Sequence, residues 1–182
     1  MLRLMLSVMV ATLTMMTSGA MAQTSTGMPS CTGSNNTATW TNCVGEEKTT
    51  DGATYVGAFE DGKFHGQGTL NMPDGRKYVG GFWRGKMHGH GTMDFPDGSK
   101  YVGDFWIGKY SKGTLTRPDG SKFVGEFVDN EYSRGTYTFP DGSKYVGDLR
   151  NDKRYGPGAE YSADGTKVRS GIWENDVFIG GP

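Results

Sequence analysis

The side chains able to hold a metal or attack a substrate recur along this chain; they do not converge. His65, His88 and His90 are its three histidines. His65 and His88 occupy the same place in successive segments, two strands apart in a hairpin array, about 10 Å. Ligands of one zinc ion lie about 2 Å from the metal, so these two cannot share an ion, and His88 with His90 is half a site. Each Asp-Gly turn offers one carboxylate, where a calcium loop gathers several within about 12 residues. No metal and no cofactor is expected. The sequence has no Gly-x-Ser-x-Gly elbow, no His-Glu-x-x-His and no phosphate loop. Its acids recur by period, with no enclosed pocket to shift a pKa. A glycosidase-like carboxylate pair depends on a separation that sequence does not give. The expectation is a protein with no catalytic residues, not an enzyme.

Residues suited to binding form two rows. Tyr55, Phe59, Tyr78, Phe82, Tyr101, Phe105, Phe123, Phe127 and Tyr145 recur at positions that alternation places on one face of a sheet. With no second layer encoded, either a strong twist lets these rings cover one another, or the face stays open as a groove for a partner, a sugar ring or a second copy. Lys77, Lys100, Lys122, Lys144 and Lys167 close the successive units as a basic stripe. That stripe suits anionic lipid or a polyanion. It equally suits a solvated turn row that discourages edge association, and Asp residues two or three positions earlier partly cancel it.

The elements that position these rows are read from spacing. Thirty of the 182 residues are glycine, more than twice the usual share of roughly 7%. Aligned on Tyr-Val-Gly, the chain divides into 55–77, 78–100, 101–122, 123–144 and 145–167, a period typical of solenoids and arrays. Each unit ends in an Asp-Gly turn, four of them Pro-Asp-Gly and the last Ala163-Asp164-Gly165, and a second turn such as Glu60-Asp61-Gly62-Lys63 falls mid-unit. Two turns per unit make two strands. Gly80 or Gly91 inside a strand marks a close approach, which leaves room for the ring of each unit to lie against the next. The expected fold is all-β, an elongated, twisted, single-layer antiparallel sheet of tandem hairpins.

The flanks carry the localisation argument. Arg3, the apolar run Leu4 to Met16 and Ala20-Met21-Ala22 have the form of a signal peptide cleaved after Ala22. The run falls short of the about 20 residues needed to span a bilayer. Cleavage would leave a periplasmic or secreted chain. The formal charge of the whole chain is −1, and such a balance gives no reason to expect nucleic acid. Cys31 and Cys43 are the two cysteines; in an oxidising compartment they have one possible pairing, whereas a redox or metal pair would need CxxC spacing or a nearby histidine. Residues 23–54 read as a leader holding this disulfide and a half-repeat strand, with Glu46, Glu47 and Lys48 blunting the sheet edge. Residues 168–182, with Trp173, read as a degenerate capping unit.

Tyr55-Val-Gly-Ala-Phe-Glu-Asp-Gly-Lys-Phe-His-Gly-Gln-Gly-Thr69, followed by Pro-Asp-Gly, resembles a MORN repeat, and the five units in register resemble an exported bacterial member of that family. The segment around Trp40 and Cys43 is similar to the leader of such members. Units 101–122 and 123–144 depart by keeping only Gly113 and Gly135 of the Gly-x-Gly pair, and Pro157 interrupts the pair in the last unit. Regular curvature is not expected there, and a site is expected where the register breaks or rings are exposed. The resemblance implies an extracytoplasmic scaffold, without activity of its own, for protein interaction or self-association through the aromatic face. The alternative is binding of envelope glycan or anionic lipid.

Overall fold

A computed structural model describes residues 27–32 and 37–181. The expected signal peptide lies outside the described residues. After a short 3-10 turn at Thr37–Thr39 come thirteen strands: β1 (Cys43–Lys48), β2 (Thr54–Glu60), β3 (Lys63–Asn71), β4 (Lys77–Trp83), β5 (Lys86–Asp94), β6 (Lys100–Trp106), β7 (Lys109–Thr116), β8 (Lys122–Val128), β9 (Glu131–Thr138), β10 (Lys144–Arg150), β11 (Lys153–Tyr161), β12 (Lys167–Glu174) and β13 (Val177–Gly180). They form one open, uncurled antiparallel sheet whose spatial order is the sequence order. At about 4.8 Å per strand the ribbon is about 58 Å long. No helix among the described residues is long and apolar enough to cross a membrane.

Turn chemistry sets the strand ends. Gly98 accepts a φ of 85°, a left-handed conformation that costs glycine nothing. Asp97 Oδ1 accepts the Ser99 backbone N–H at 2.8 Å, so the turn closes on itself. The same carboxylate-to-backbone bond recurs at Asp74, Asp119, Asp141 and Asp164.

Glycine sets the packing. Gly45, Gly57, Gly68, Gly80, Gly91, Gly103, Gly113, Gly125, Gly135, Gly147, Gly158 and Gly171 pair in an unbroken row across β1 to β12. Each first-strand ring folds back over the glycine pair of its own unit. A Cβ at Gly91 would lie 2.5 Å from the Tyr78 ring, and one at Gly80 would lie 2.5 Å from the Tyr78 hydroxyl. The rings therefore lie flat on their own unit, not on the next as the spacing suggested. The next unit is reached edge-on instead, Tyr78 meeting Phe105 at 4.7 Å and Tyr101 meeting Phe127 at 5.3 Å. Ring pairs of this kind contribute about 0.5–1.5 kcal/mol beyond area burial.

Within each unit a bulge follows the glycine pair, and in four of the five units the ring above it caps a carbonyl at the bulge. Tyr55, Tyr78, Tyr101 and Tyr145 donate their hydroxyls to the carbonyls of Ala58, Gly81, Asp104 and Asp148 at 2.8, 2.9, 2.9 and 2.9 Å. Phe123 has no hydroxyl to give. The bulge also explains the two periods. From Met87 to Gly91 the second strand spends two more residues than its partner, whereas from Tyr110 to Gly113 it spends one. Losing Gly-x-Gly in units 101–122 and 123–144 thus deletes one bulge residue and leaves the glycine row intact.

Candidate functional site

The inner face is a set of columns, each filled by one residue per unit, and the columns change character toward the C-terminus. Phe59, Phe82, Phe105 and Phe127 are followed by Leu149. Their cross-strand partners Phe64, Met87, Tyr110 and Tyr132 are followed by Arg154. Opposite the first-strand rings, Leu70, Met93, Leu115 and Tyr137 are followed by Glu160. Before the closing turns, Met72 and Phe95 are followed by Arg117. Arg117, Arg154 and Glu160 thus put charged groups where other units have bulky apolar ones, and Leu149 puts an aliphatic in place of a ring.

The result is a recess of about 530 Å³ on the inner face, within the roughly 300–1,000 Å³ of ligand pockets. Tyr132, Tyr137, Phe139, Tyr145 and Leu149 form its apolar lining, Arg117 and Asp119 one end, and Asp152, Arg154 and Asp176 the other. It runs along β9 from one row of turns to the other. The turn row opens at the same place. A Cβ at Gly75 or Gly98 would sit 3.0 or 3.3 Å from the proline of the next turn, whereas Gly120 has nothing within 4 Å.

The charges in the recess are unevenly neutralised. Arg154 pairs with Glu160, lies 3.1 Å from Asp176 Oδ1, and packs over the Trp173 ring at 4.3 Å. Arg169 holds the other oxygen of Glu160 at 2.5 Å, so this cluster is satisfied. Arg117 donates to the Tyr137 hydroxyl at 3.1 Å and lies 5.5 Å from the Tyr132 ring centre; among the described residues no carboxylate lies within ion-pair distance of it. Burial pushes the Tyr132 and Tyr145 phenols up to about 12, so both are neutral donors near neutrality.

The residues singled out in the sequence fall in different places. Tyr55, Tyr78, Tyr101, Phe123 and Tyr145 are closed to solvent, and Phe59, Phe82, Phe105 and Phe127 nearly so. These nine rings form the core, and a partner on this face would meet little of them outside the recess, where Tyr145 forms part of the wall. The reading in which rings cover one another describes 55–132, where each ring contacts the next. Lys77, Lys100, Lys122, Lys144 and Lys167 open β4, β6, β8, β10 and β12 and are all exposed; Lys100 pairs with Asp94 at 2.9 Å. Cys31 and Cys43 are bonded, with Cα atoms 4.9 Å apart. His65 faces Glu60 at 2.9 Å and His90 faces Asp104 at 3.1 Å, and no group of three or more metal-ligating side chains is found among the described residues.

Two features escaped the sequence reading. Arg154 and Glu160 stand out only once the columns are known, because the insertion of a bulge residue shifts the simple count. Trp40 acts as a leading member of the column continued by Phe64. It covers Gly45, where a Cβ would lie 2.6 Å from its ring, meets Phe59 edge-on at 4.9 Å, and its carbonyl accepts the Gly62 N–H at 2.7 Å. Gly85 and Gly108 bond Phe64 and Met87 in the same way at 2.8 Å.

An open meander of near-identical hairpins with one ringed face defines a linear β-hairpin repeat protein. The MORN repeat model matches residues 55–75, 78–100, 123–144 and 145–167. The chain belongs to the MORN repeat family. Unit 101–122 is not matched, yet its strands β6 and β7 carry the same register. No curated protein matches the chain. Among solved structures, the TCP domain of Drosophila melanogaster SAS-4, in complex with a proline-rich motif, is 14% identical, covers 71% of this chain and 77% of its own, and has a TM-score of 0.41. Two structures of the TCP10 domain of Danio rerio CPAP are 13% identical over 70% of this chain, with TM-scores of 0.29 and 0.30. The chain spans 61% of those two domains. The MORN match points to a repeat scaffold for protein or membrane interaction and to a non-catalytic protein.

Proposed function

We propose that this chain is an exported, non-catalytic scaffold that binds a segment of a protein partner in the recess along β9. The observation that carries the reading is the change of column character: where the first units fill the inner face with rings, Leu149, Arg154 and Arg117 leave a cavity with apolar walls and charged ends. An extended segment lying along β9 would place an apolar side chain against Tyr132, Tyr137 and Leu149 and a carboxylate near Arg117. Desolvated aromatic and arginine contacts of this kind dominate interface energetics. Export is supported by Arg3, Leu4 to Met16 and Ala20-Met21-Ala22, and by the Cys31–Cys43 bond, which suits an oxidising compartment. A photo-crosslinking residue at Phe139 should capture a partner from an envelope extract, while the same residue at Phe95, its counterpart in the closed region, should not. Equal capture from both positions would remove the assignment.

Self-association is a second reading, favoured by the asymmetry of the sheet edges. The β1 edge is covered by Ser30, which bridges Val44 in parallel, and by backbone bonds from Pro29 and Cys31. Among the described residues β13 has no strand on its outer side, and Val177 and Ile179 are exposed. One blocked and one open edge allow a β13-to-β13 pair but no endless fibre. Light scattering of the wild type and Ile179→Lys decides it: a dimer that becomes a monomer supports the pair, and a monomeric wild type ends it.

A further inference from the structure

The outer face carries a feature that the repeat does not require. The residue that ends the first strand of each unit is Glu60, Trp83, Trp106, Val128 and Arg150, so two tryptophans stand in a column otherwise free of rings. Trp83 is 43% and Trp106 64% exposed, while Trp173 is 1% exposed. His88 lies between the two indoles, 5.9 Å from Trp83 and 4.9 Å from Trp106, and the Arg84 guanidinium sits 5.0 Å over Trp83. The indoles are thus held in a row on a rigid sheet, two strands or about 10 Å apart.

Chemistry around the row limits what can sit on it. Arg84 and Lys86 have no ion-pair partner among the described residues, whereas Lys109 is held by Asp129 at 2.5 Å. Beside the indoles on the same face runs a charged row in which His90 meets Asp104 at 3.1 Å and Lys112 stands opposite Asp104 and Glu126. A purely apolar partner would have to dry these charges at a large desolvation cost. A ligand with apolar ring faces, hydroxyl edges and negative charge meets all three surroundings: the indoles, the wet row and the free cations. The separation of about 10 Å between the two rings is wider than one sugar ring and suits an oligomer better than a single sugar.

We propose that Trp83 and Trp106 form a stacking platform for the pyranose rings of an acidic polysaccharide, with Arg84 and Lys86 facing its carboxylates. This site lies on the sheet face opposite the recess and stands independently of it. Titration with polygalacturonate, read by tryptophan fluorescence and calorimetry, tests the platform. The wild type should bind with an affinity that falls as salt rises. Trp83→Ala and Trp106→Ala should each weaken binding roughly tenfold, with unchanged melting because both side chains are exposed. Arg84→Gln with Lys86→Gln should weaken it and flatten the salt dependence. A neutral glucan of equal length should bind more weakly. Leu149→Phe with Arg154→Phe, which fills the recess, should leave it unchanged. The proposal is overturned if polygalacturonate does not bind, or if the two tryptophan variants bind it as the wild type does. It is overturned equally if the tryptophans prove necessary for anionic vesicles and not for the glycan.

Discussion

Residues 55–105 and residues 117–176 share one hairpin plan, yet the first packs its inner face with rings and leaves a recess of about 390 Å³ only beside its closing turns, while the second carries a recess of about 530 Å³ with charged ends. In the first, Phe59, Phe82 and Phe105 meet Phe64, Met87 and Tyr110, and the glycine pair inside each unit lies under a tyrosine whose hydroxyl caps a backbone carbonyl. In the second, Leu149 and Arg154 replace a ring pair, Glu160 replaces an aliphatic, and the Gly120 turn loses its proline neighbour. The backbone register continues through both. A repeat array can therefore open a recess by changing side chains in columns while its sheet stays regular. The ends differ in the same way, since Trp40 and the Cys31–Cys43 bond cover one edge and β13 leaves the other open.

The comparison breaks most severely at the glycine row. Gly91→Val would place its first carbon 2.5 Å from Tyr78, with no room for the ring to leave, and should cost about 3 kcal/mol or more. Gly108, with nothing within 4 Å of a Cβ, should accept Asn at its positive φ with a far smaller loss. Thermal melts of the two variants rank them, and equal losses would contradict ring-over-glycine packing.

Alkaline pH tests the same packing in both halves. Burial raises the Tyr101, Tyr132 and Tyr145 phenols from 10.0 to about 12. A raised folded-state pKa of an acid means that the neutral form is the one the fold holds. Its contribution is complete below pH about 10 and is lost as pH rises through about 12. Phenolate absorbance and loss of β-sheet circular dichroism should therefore coincide in that window; titration of all tyrosines near 10 with the sheet intact would contradict it.

Smaller effects separate the ends and the bulges. Cys31→Ser with Cys43→Ser should lower stability by about 3 kcal/mol in the chain-entropy estimate for this loop, and a melt insensitive to reductant would show that Trp40 alone holds the β1 edge. Phe123→Tyr should gain about 1 kcal/mol, because the new hydroxyl would cap the Glu126 carbonyl as Tyr101 caps Asp104. A neutral or unfavourable change would mean that the bulge carbonyl is already satisfied.

The two strands per unit, the turns and the one-sided ring set were legible in the sequence because period-two alternation and Pro-Asp-Gly chemistry act locally, whereas β13, after the last turn, was not. Which unit a ring covers was not, since Tyr78 reaches Gly80 and Gly91 only through cross-strand register and a bulge. The nine rings offered as a binding face have the composition of an interface, but with 0–5% exposure they serve as core. Arg154 follows Asp152 and Lys153 in sequence while Glu160 stands between Ala159 and Tyr161, and the inward direction of both depends on a bulge whose length varies by one residue. Trp40 lies outside the period altogether, so nothing in the count assigned it to a column.

The claim that column changes open a binding recess is tested most directly by refilling it. Leu149→Phe with Arg154→Phe restores the ring pair of the first units, and Glu160 keeps its partner in Arg169. A peptide selected on the wild type from a displayed library should bind the refilled protein at least tenfold more weakly while the melting profile stays cooperative, and it should protect β9 from hydrogen exchange. Undiminished binding to the refilled protein, or protection confined to residues 55–105, would contradict the account.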